Sequence, residues 1–178
     1  MAERYAEGLD PTDEPIGVER TVAVKTSALA VSGRVDRVDL RGDELVVVDY
    51  KTGRAALTDD DARGSLALAL YALACARTLR RPCTRVELHH LPAQRVLSWE
   101  HSPETLVRHV RRAEGIAAEA AAATQALRAG GDGDVLFPAR PSAGCAWCDL
   151  NGACPVAKVP PRKPWDGLAS EQPEPDEG

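Results

Sequence analysis

Hydrophobic and polar positions alternate from Val18 to Thr26, with Val18, Val22 and Val24 marking a strand, and Ala28 to Leu40 continues as an antiparallel neighbour. In that second strand strict alternation places Val35, Arg37 and Asp39 on one face and Arg34, Asp36 and Val38 on the other. Arg41-Gly42-Asp43-Glu44 is a tight turn, with Gly42 giving conformational freedom. Leu45 to Val48 is continuously apolar and, in its three valines, β-branched, as expected for a strand buried on both faces. After a polar loop, acidic Asp59 to Asp61 mark a helix start, and Leu66, Leu70, Tyr71 and Leu73 carry the helix to about Leu79. Thr84 to Leu91 and Arg95 to His101 form a hairpin around Pro92-Ala93-Gln94. Ser102 and Pro103 open a second long helix, whose stripe Leu106, Val110, Ala113, Ala117, Ala120, Thr124, Leu127 ends at Gly130 to Gly133. Residues Met1 to Leu9 have the character of the last turns of a helix. These elements make an α/β fold, with a sheet made largely of the strands around Val22, Val35, Val47, Val86 and Val96, expected to be mixed and flanked by the two long helices.

Composition narrows the picture without fixing a partner. The 178 residues are enough for one domain with a core, and at 44% hydrophobic but only 4% aromatic that core is aliphatic. Net charge is −5, and the stretch from Trp165 onward carries five acids and no cation, so the body is neutral and neither favours nor excludes a nucleic-acid partner. No stretch is long and apolar enough for a transmembrane helix and no signal peptide opens the chain, so a cytoplasmic location without membrane association is the expectation. The Pro-rich acidic stretch 158–178 is expected to be a disordered tail, with Trp165 able to dock on the body, and 1–157 is expected to be the folded domain.

Candidate chemistry concentrates in Gly33 to Gly53, GRVDRVDLRGDELVVVDYKTG. A buried strand ending in Asp-Tyr-Lys needs a reason, because desolvating an unpaired charge is expensive. Asp49 and Lys51 point the same way, and a hairpin brings Asp36 close to them. Two carboxylates hold a hard cation such as Mg²⁺ through oxygen. The metal clamps a phosphate oxygen and acidifies water, and a lysine orients that water or offsets developing charge. A structural Asp–Lys pair is the alternative. Glu19 is either a further acid of the site or an exposed strand charge.

A second element is Cys145-x2-Cys148-x5-Cys154-Pro155. Three thiolates in a Gly- and Pro-rich loop suit an iron–sulfur cluster or zinc better than a disulfide framework, and an unmetallated loop is also open. Cys75 and Cys83 are expected to be packing residues. His89 and His90 point to opposite faces of one strand, and all four histidines are expected to be structural or surface residues. Arg77, Arg80, Arg81 and Arg85 either contact a phosphate backbone or solvate a helix end.

The G-x-x-D-R-V-D, turn, apolar run and D-Y-K-T-G resemble motifs II and III of the PD-(D/E)XK nucleases, specifically the RecB-like (AddB-like) exonuclease family, over roughly Val18 to Pro155. The resemblance implies a restriction-endonuclease-like fold and hydrolysis of DNA with Mg²⁺ or Mn²⁺ in DNA repair or recombination, with a helicase or other recombination protein as a further partner. It makes Asp36 the motif II metal ligand, Asp49 and Lys51 the acid and lysine of motif III, and the Tyr50 carbonyl a further group facing the metal. Arg37 and Tyr71 become candidate substrate contacts, although Ala67 stands where the family's Q-x-x-x-Y motif has glutamine. Cys145, Cys148 and Cys154 correspond to the trio that, with a fourth upstream cysteine, holds a [4Fe–4S] cluster. The family's preceding helical part, with motif I and that fourth cysteine, is not in this sequence, so the chain is expected to be shortened at its N terminus. Against the enzyme stand a catalytically inactive DNA-binding module of the same fold and a zinc-stapled protein-interaction domain.

Overall fold

The computed structural model describes residues 2–9 and 14–157; the expected tail 158–178, with Trp165, lies outside the described residues. Residues up to 121 form one compact unit, and a second begins at 122.

The first unit is built on five strands in sequence order: β1 (Gly17–Lys25), β2 (Ala30–Arg41), β3 (Glu44–Lys51), β4 (Arg85–His90) and β5 (Arg95–Glu100). Neighbours are antiparallel except β3 and β4, which run parallel because α2 (Asp59–Gly64) and α3 (Leu66–Leu79) form the crossover between them. This is the mixed sheet that the sequence pattern predicts. The helix expected from Asp59 to Leu79 is in fact two. Ser65 is extended, at φ −67° and ψ 109°, and its Oγ accepts from the Leu68 N–H, so a new helix starts there. Thr58 and Asp61 close a capping box at the start of α2.

The core lies between α3 and one face of the sheet. Leu45 and Val47 of β3, Val86 and Leu88 of β4 and Leu97 of β5 meet Leu68, Ala72 and Cys75 of α3. Central β3 is fully covered from Leu45 to Val48, as its apolar run implies. Cys75 and Cys83 are buried in this core, as expected for packing residues.

The alternation expected for β2 fails in its middle. Val35 and Val38 both belong to the α3-side core, although an odd spacing should put them on opposite faces. The fault lies where Glu19 faces Asp36: β1 and β2 pair on both sides of that point, but no ladder pairing joins these two residues. Glu19 there adopts φ +48°, a left-handed conformation that twists the ladder locally. Glu19 itself pairs with Arg34 at 2.8 Å, and both side chains are largely exposed.

Within this unit, α1 (Ala2–Glu7) sets Tyr5 against Tyr50 and His89 in edge-to-face contacts with ring centroids 5.6 and 5.7 Å apart. Helix α4 (Pro103–Arg128) runs from the first unit into the second; in the first, Glu114 accepts from Ser27 Oγ at 2.9 Å and from the Ala28 N–H at 3.3 Å, tying the β1–β2 turn. The second unit contains the end of α4, α5 (Gly133–Leu136), and two 3₁₀ turns at Ala143–Trp147 and Asn151–Ala153.

Candidate active site at the end of the central strand

Asp49 and Lys51 project from the last residues of β3 on the side of Leu45 and Val47, two and four residues beyond the core. The last described β2–β3 pair is Arg37 with Val48, so one further step of the register puts Asp36 opposite Asp49. Asp36 Oδ2 accepts the Tyr50 N–H at 2.9 Å, which fixes the carboxylate beside the Asp49–Tyr50 peptide.

Lys51 Nζ lies 2.5 Å from Asp49 Oδ2. That oxygen is buried, yet no donor is aligned to hydrogen-bond it, so the contact with the ammonium is an ion pair only. Lys51 is about half exposed while Asp49 is mostly covered, at 46% and 20% of the side chain. A buried carboxylate oxygen without an aligned donor is costly, and such a cost persists where the group has another use. Beyond the strand, the Lys51 carbonyl accepts from the Leu91 N–H at 3.0 Å, and His90 Nε2 donates to the Gly53 carbonyl at 2.8 Å. These bonds hold the backbone on both sides of the lysine.

The side-chain donors at this point are hard oxygens, the Asp36 and Asp49 carboxylates, joined through the Tyr50 N–H. They fit a divalent cation of the Mg²⁺ class by donor type, with Asp49 Oδ2, beside the Lys51 ammonium, as the buried member of the set. Two carboxylates are the extent of it, since among the described residues no group of three His, Cys, Asp or Glu side chains is placed to hold a metal.

Tyr71 sits on α3 with its ring against Gly33 of β2, three residues before Asp36, and makes no hydrogen bond to Asp36, Asp49 or Lys51. A Cβ on Gly33 would fall 2.5 Å from Tyr71 Cε1, so only glycine leaves room for the ring. Gly33→Ala is expected to lose about 1–3 kcal/mol of stability through overpacking. In urea unfolding, adding Tyr71→Leu should return most of that loss; strictly additive effects would show that the ring is not what the methyl meets.

Arg37 is not brought to this point. Its register partner is Val48, on the opposite face from Asp49, and its Nε is bonded to Asp39 Oδ1 at 2.6 Å. It belongs to a polar network that sequence reasoning missed. On that face Glu87 accepts from both Arg41 nitrogens at 2.7 and 3.0 Å, from Arg85 Nε at 3.0 Å and from His89 Nε2 at 2.9 Å. Because Nε2 donates, His89 Nδ1 accepts the Tyr5 hydroxyl at 2.6 Å. Burial would raise the Glu87 pKa, but the His89 and Arg41 hydrogen bonds and the Arg charges outweigh it and hold it at about 2. The signal was present: Arg85, Glu87 and His89 alternate along β4, all on one side. Arg85 is thus engaged with Glu87, and His89, His90 and His101 are buried structural residues, not surface ones.

The cysteine trio is not gathered. Cys145 and Cys154 are half-buried and Cys148 exposed, and Cys145 Sγ accepts the Ser142 N–H at 3.3 Å. The two 3₁₀ turns satisfy their own backbone through bonds such as Cys148 N–H to the Cys145 carbonyl. Three thiolates that do not converge fit neither a [4Fe–4S] cluster nor zinc in this arrangement, and no chemistry is derived through them.

No helix among the described residues is long and apolar enough to cross a membrane. A comparison with curated proteins finds no match. The family model of the PD-(D/E)XK nuclease superfamily, however, matches residues 1–155, the span that holds the five-stranded mixed sheet and the Asp49–Lys51 strand end. By that match the chain belongs to the PD-(D/E)XK nuclease superfamily.

Proposed function

We propose that the chain is a metal-dependent deoxyribonuclease of the RecB-like (AddB-like) type, an exonuclease that serves DNA repair or recombination. Membership of the superfamily implies nucleic-acid hydrolysis with Mg²⁺ or Mn²⁺. The observation that carries the reading to these residues is Asp49: a buried carboxylate oxygen without an aligned donor, beside Lys51 and next to Tyr50, whose N–H holds Asp36. When bound, a divalent cation supplies charge neutralisation at the phosphate and a more acidic water. Asp36, Asp49 and the Tyr50 carbonyl would hold it. Asp36 is oriented for this by the Tyr50 N–H, which occupies Oδ2 and leaves Oδ1 for the ion. Lys51, anchored through its own carbonyl, orients the attacking water and offsets the negative charge that builds on the phosphate oxygens. Tyr71, seated against Gly33, is the candidate contact to the strand on this side. The site is proposed to lie within a nuclease domain spanning 1–157.

The test is cleavage of linear single- and double-stranded DNA by the native chain, with Mg²⁺ or Mn²⁺ and with chelator. Metal-dependent release of nucleotides is expected, and chelator should stop it. Lys51→Ala should keep the metal requirement while turnover falls by about 10²–10³-fold. DNA binding without cleavage under every metal would point instead to an inactive DNA-binding module. The ammonium seated on Asp49, and Ala67 in place of glutamine, are the features that favour that second reading.

A further inference from the structure

Away from Asp49, the first unit contains a cleft of about 470 Å³ whose walls come from three elements distant in sequence. Helix α2 gives Arg63, β5 gives Trp99, and the start of α4 gives Thr105, Arg108, His109 and Arg112. Three guanidiniums and an imidazole face one opening with no carboxylate in its lining. Arg63 is the partly compensated one, bonded to Asp60 at 2.9 Å. Its guanidinium carbon also lies 5.6 Å from the Trp99 ring centroid. Arg108 and Arg112 are one helical turn apart on an exposed face, and neither makes an ion pair among the described residues. Glu104, a turn before Arg108, forms no ion pair with it, but the Ser102 hydrogen bond, with the Arg108 charge adding to it, lowers the Glu104 carboxyl pKa. Trp99 Nε1 in the wall of the cleft is buried without a hydrogen-bond partner.

Arg108 and Arg112 at this spacing repel each other, Glu104 offsets only the first of them, and holding both on one face costs stability unless an anion meets them. The planar guanidinium suits phosphate oxygens, and an aromatic ring interleaved with cations is the usual means of gripping a nucleic-acid strand. We propose that this cleft binds the phosphodiester backbone of a DNA strand, with Arg108 and Arg112 each meeting a phosphate and Arg63 and Trp99 forming the wall beside them. The identity of the ligand rests on the nuclease reading above; the geometry of the cleft does not. It would hold the substrate at a point separate from the residues that cut it, so its loss should weaken binding without altering the metal requirement.

The experiment is fluorescence anisotropy of labelled single-stranded and duplex DNA with the full chain in chelator, so that no cleavage intervenes, over a series of salt concentrations. In Arg108→Ala/Arg112→Ala the slope of log K against log salt should become shallower by about 1.4 on single strands or about 1.8 on duplex, two phosphate contacts' worth. The arm that shows the larger loss of affinity names the strand type. Alanine is well tolerated at exposed helix positions, and if the double variant fails to melt like the native chain, Arg112→Gln alone should still lower the slope by half as much. Arg128→Ala/Arg140→Ala, two exposed arginines outside the cleft lining, is the charge-matched control. An unchanged slope, an equal loss in the control, or no DNA binding by the native chain overturns the assignment. A native chain that cleaves DNA but loses no binding in the double variant sinks the cleft and leaves the nuclease standing. A chain that never cleaves but shows the slope change does the reverse.

Discussion

Replacing Asp49 by alanine is expected to lower metal-dependent DNA cleavage by about a thousand-fold or more, beyond the loss expected for Lys51→Ala, because it removes two functions at once. One is a carboxylate of the proposed metal site, which has two among the described residues. The other is the partner that positions the Lys51 ammonium, 2.5 Å away. The same substitution should leave stability unchanged or raise it. Asp49 Oδ2 is buried and lacks an aligned donor, so the folded chain bears a desolvation cost that alanine relieves. Lys51, about half exposed, can return to water when its partner is gone. Opposite signs in activity and stability are the mark of a group retained for chemistry. Cleavage rates in Mg²⁺ and thermal melts of the same preparations decide it. If Asp49→Ala melts well below the native chain and cleaves normally, the pair is a structural ion pair and the site lies elsewhere.

Some of this was legible in the chain before its structure, and the reasons divide cleanly. The strands around Val22, Val47 and Val86 follow from alternation and apolar runs, which are local signals. The nearness of Asp49 and Lys51 follows from a spacing of two on one strand. The turn at Gly42, with φ +64°, follows from residue type. By contrast, Val35 joins the same core as Val38 only because the β1–β2 ladder twists at Glu19, and a glutamate with positive φ carries no local signature. The division of one expected helix at Ser65 was written as Gly64-Ser65, but an apolar run that continues on both sides hides it. The cysteine spacing suggested a shared centre, yet spacing sets only what a loop allows. Its backbone bonds decide what it does. The basic cleft needed α2, β5 and α4 brought together, and no window along the sequence contains all three.

Acid should destabilise the native chain through Glu87, and the size and direction of the effect follow from its surroundings. Glu87 is 1% exposed on β4 and accepts hydrogen bonds from Arg41, Arg85 and His89. Surface ion pairs contribute little, because water screens both partners. Here the carboxylate is covered, while Arg41 and Arg85 keep about half their surface in water, so the cations are cheap to hold and the anion is well met. The folded chain holds this carboxyl at about 2, against 4.5 for a free glutamate. Since the folded pKa is the lower one, the unfolded chain binds the extra proton first as pH falls. The contribution is complete above about pH 4.5, declines below it and is gone by about pH 2, with stability rising with pH in between. Its size is on the order of 3 kcal/mol. Urea unfolding of the native chain from pH 6 to pH 2 should therefore lose about that much more than Glu87→Gln, which has no such proton to take up. Parallel curves would mean that the arginines gain as much from solvent as from Glu87. The network lies on the face of the sheet away from Asp49 and Lys51, so Glu87→Gln should still cleave DNA at neutral pH. A variant that is weaker in fold but intact in rate would separate what holds this sheet together from what its strand end does.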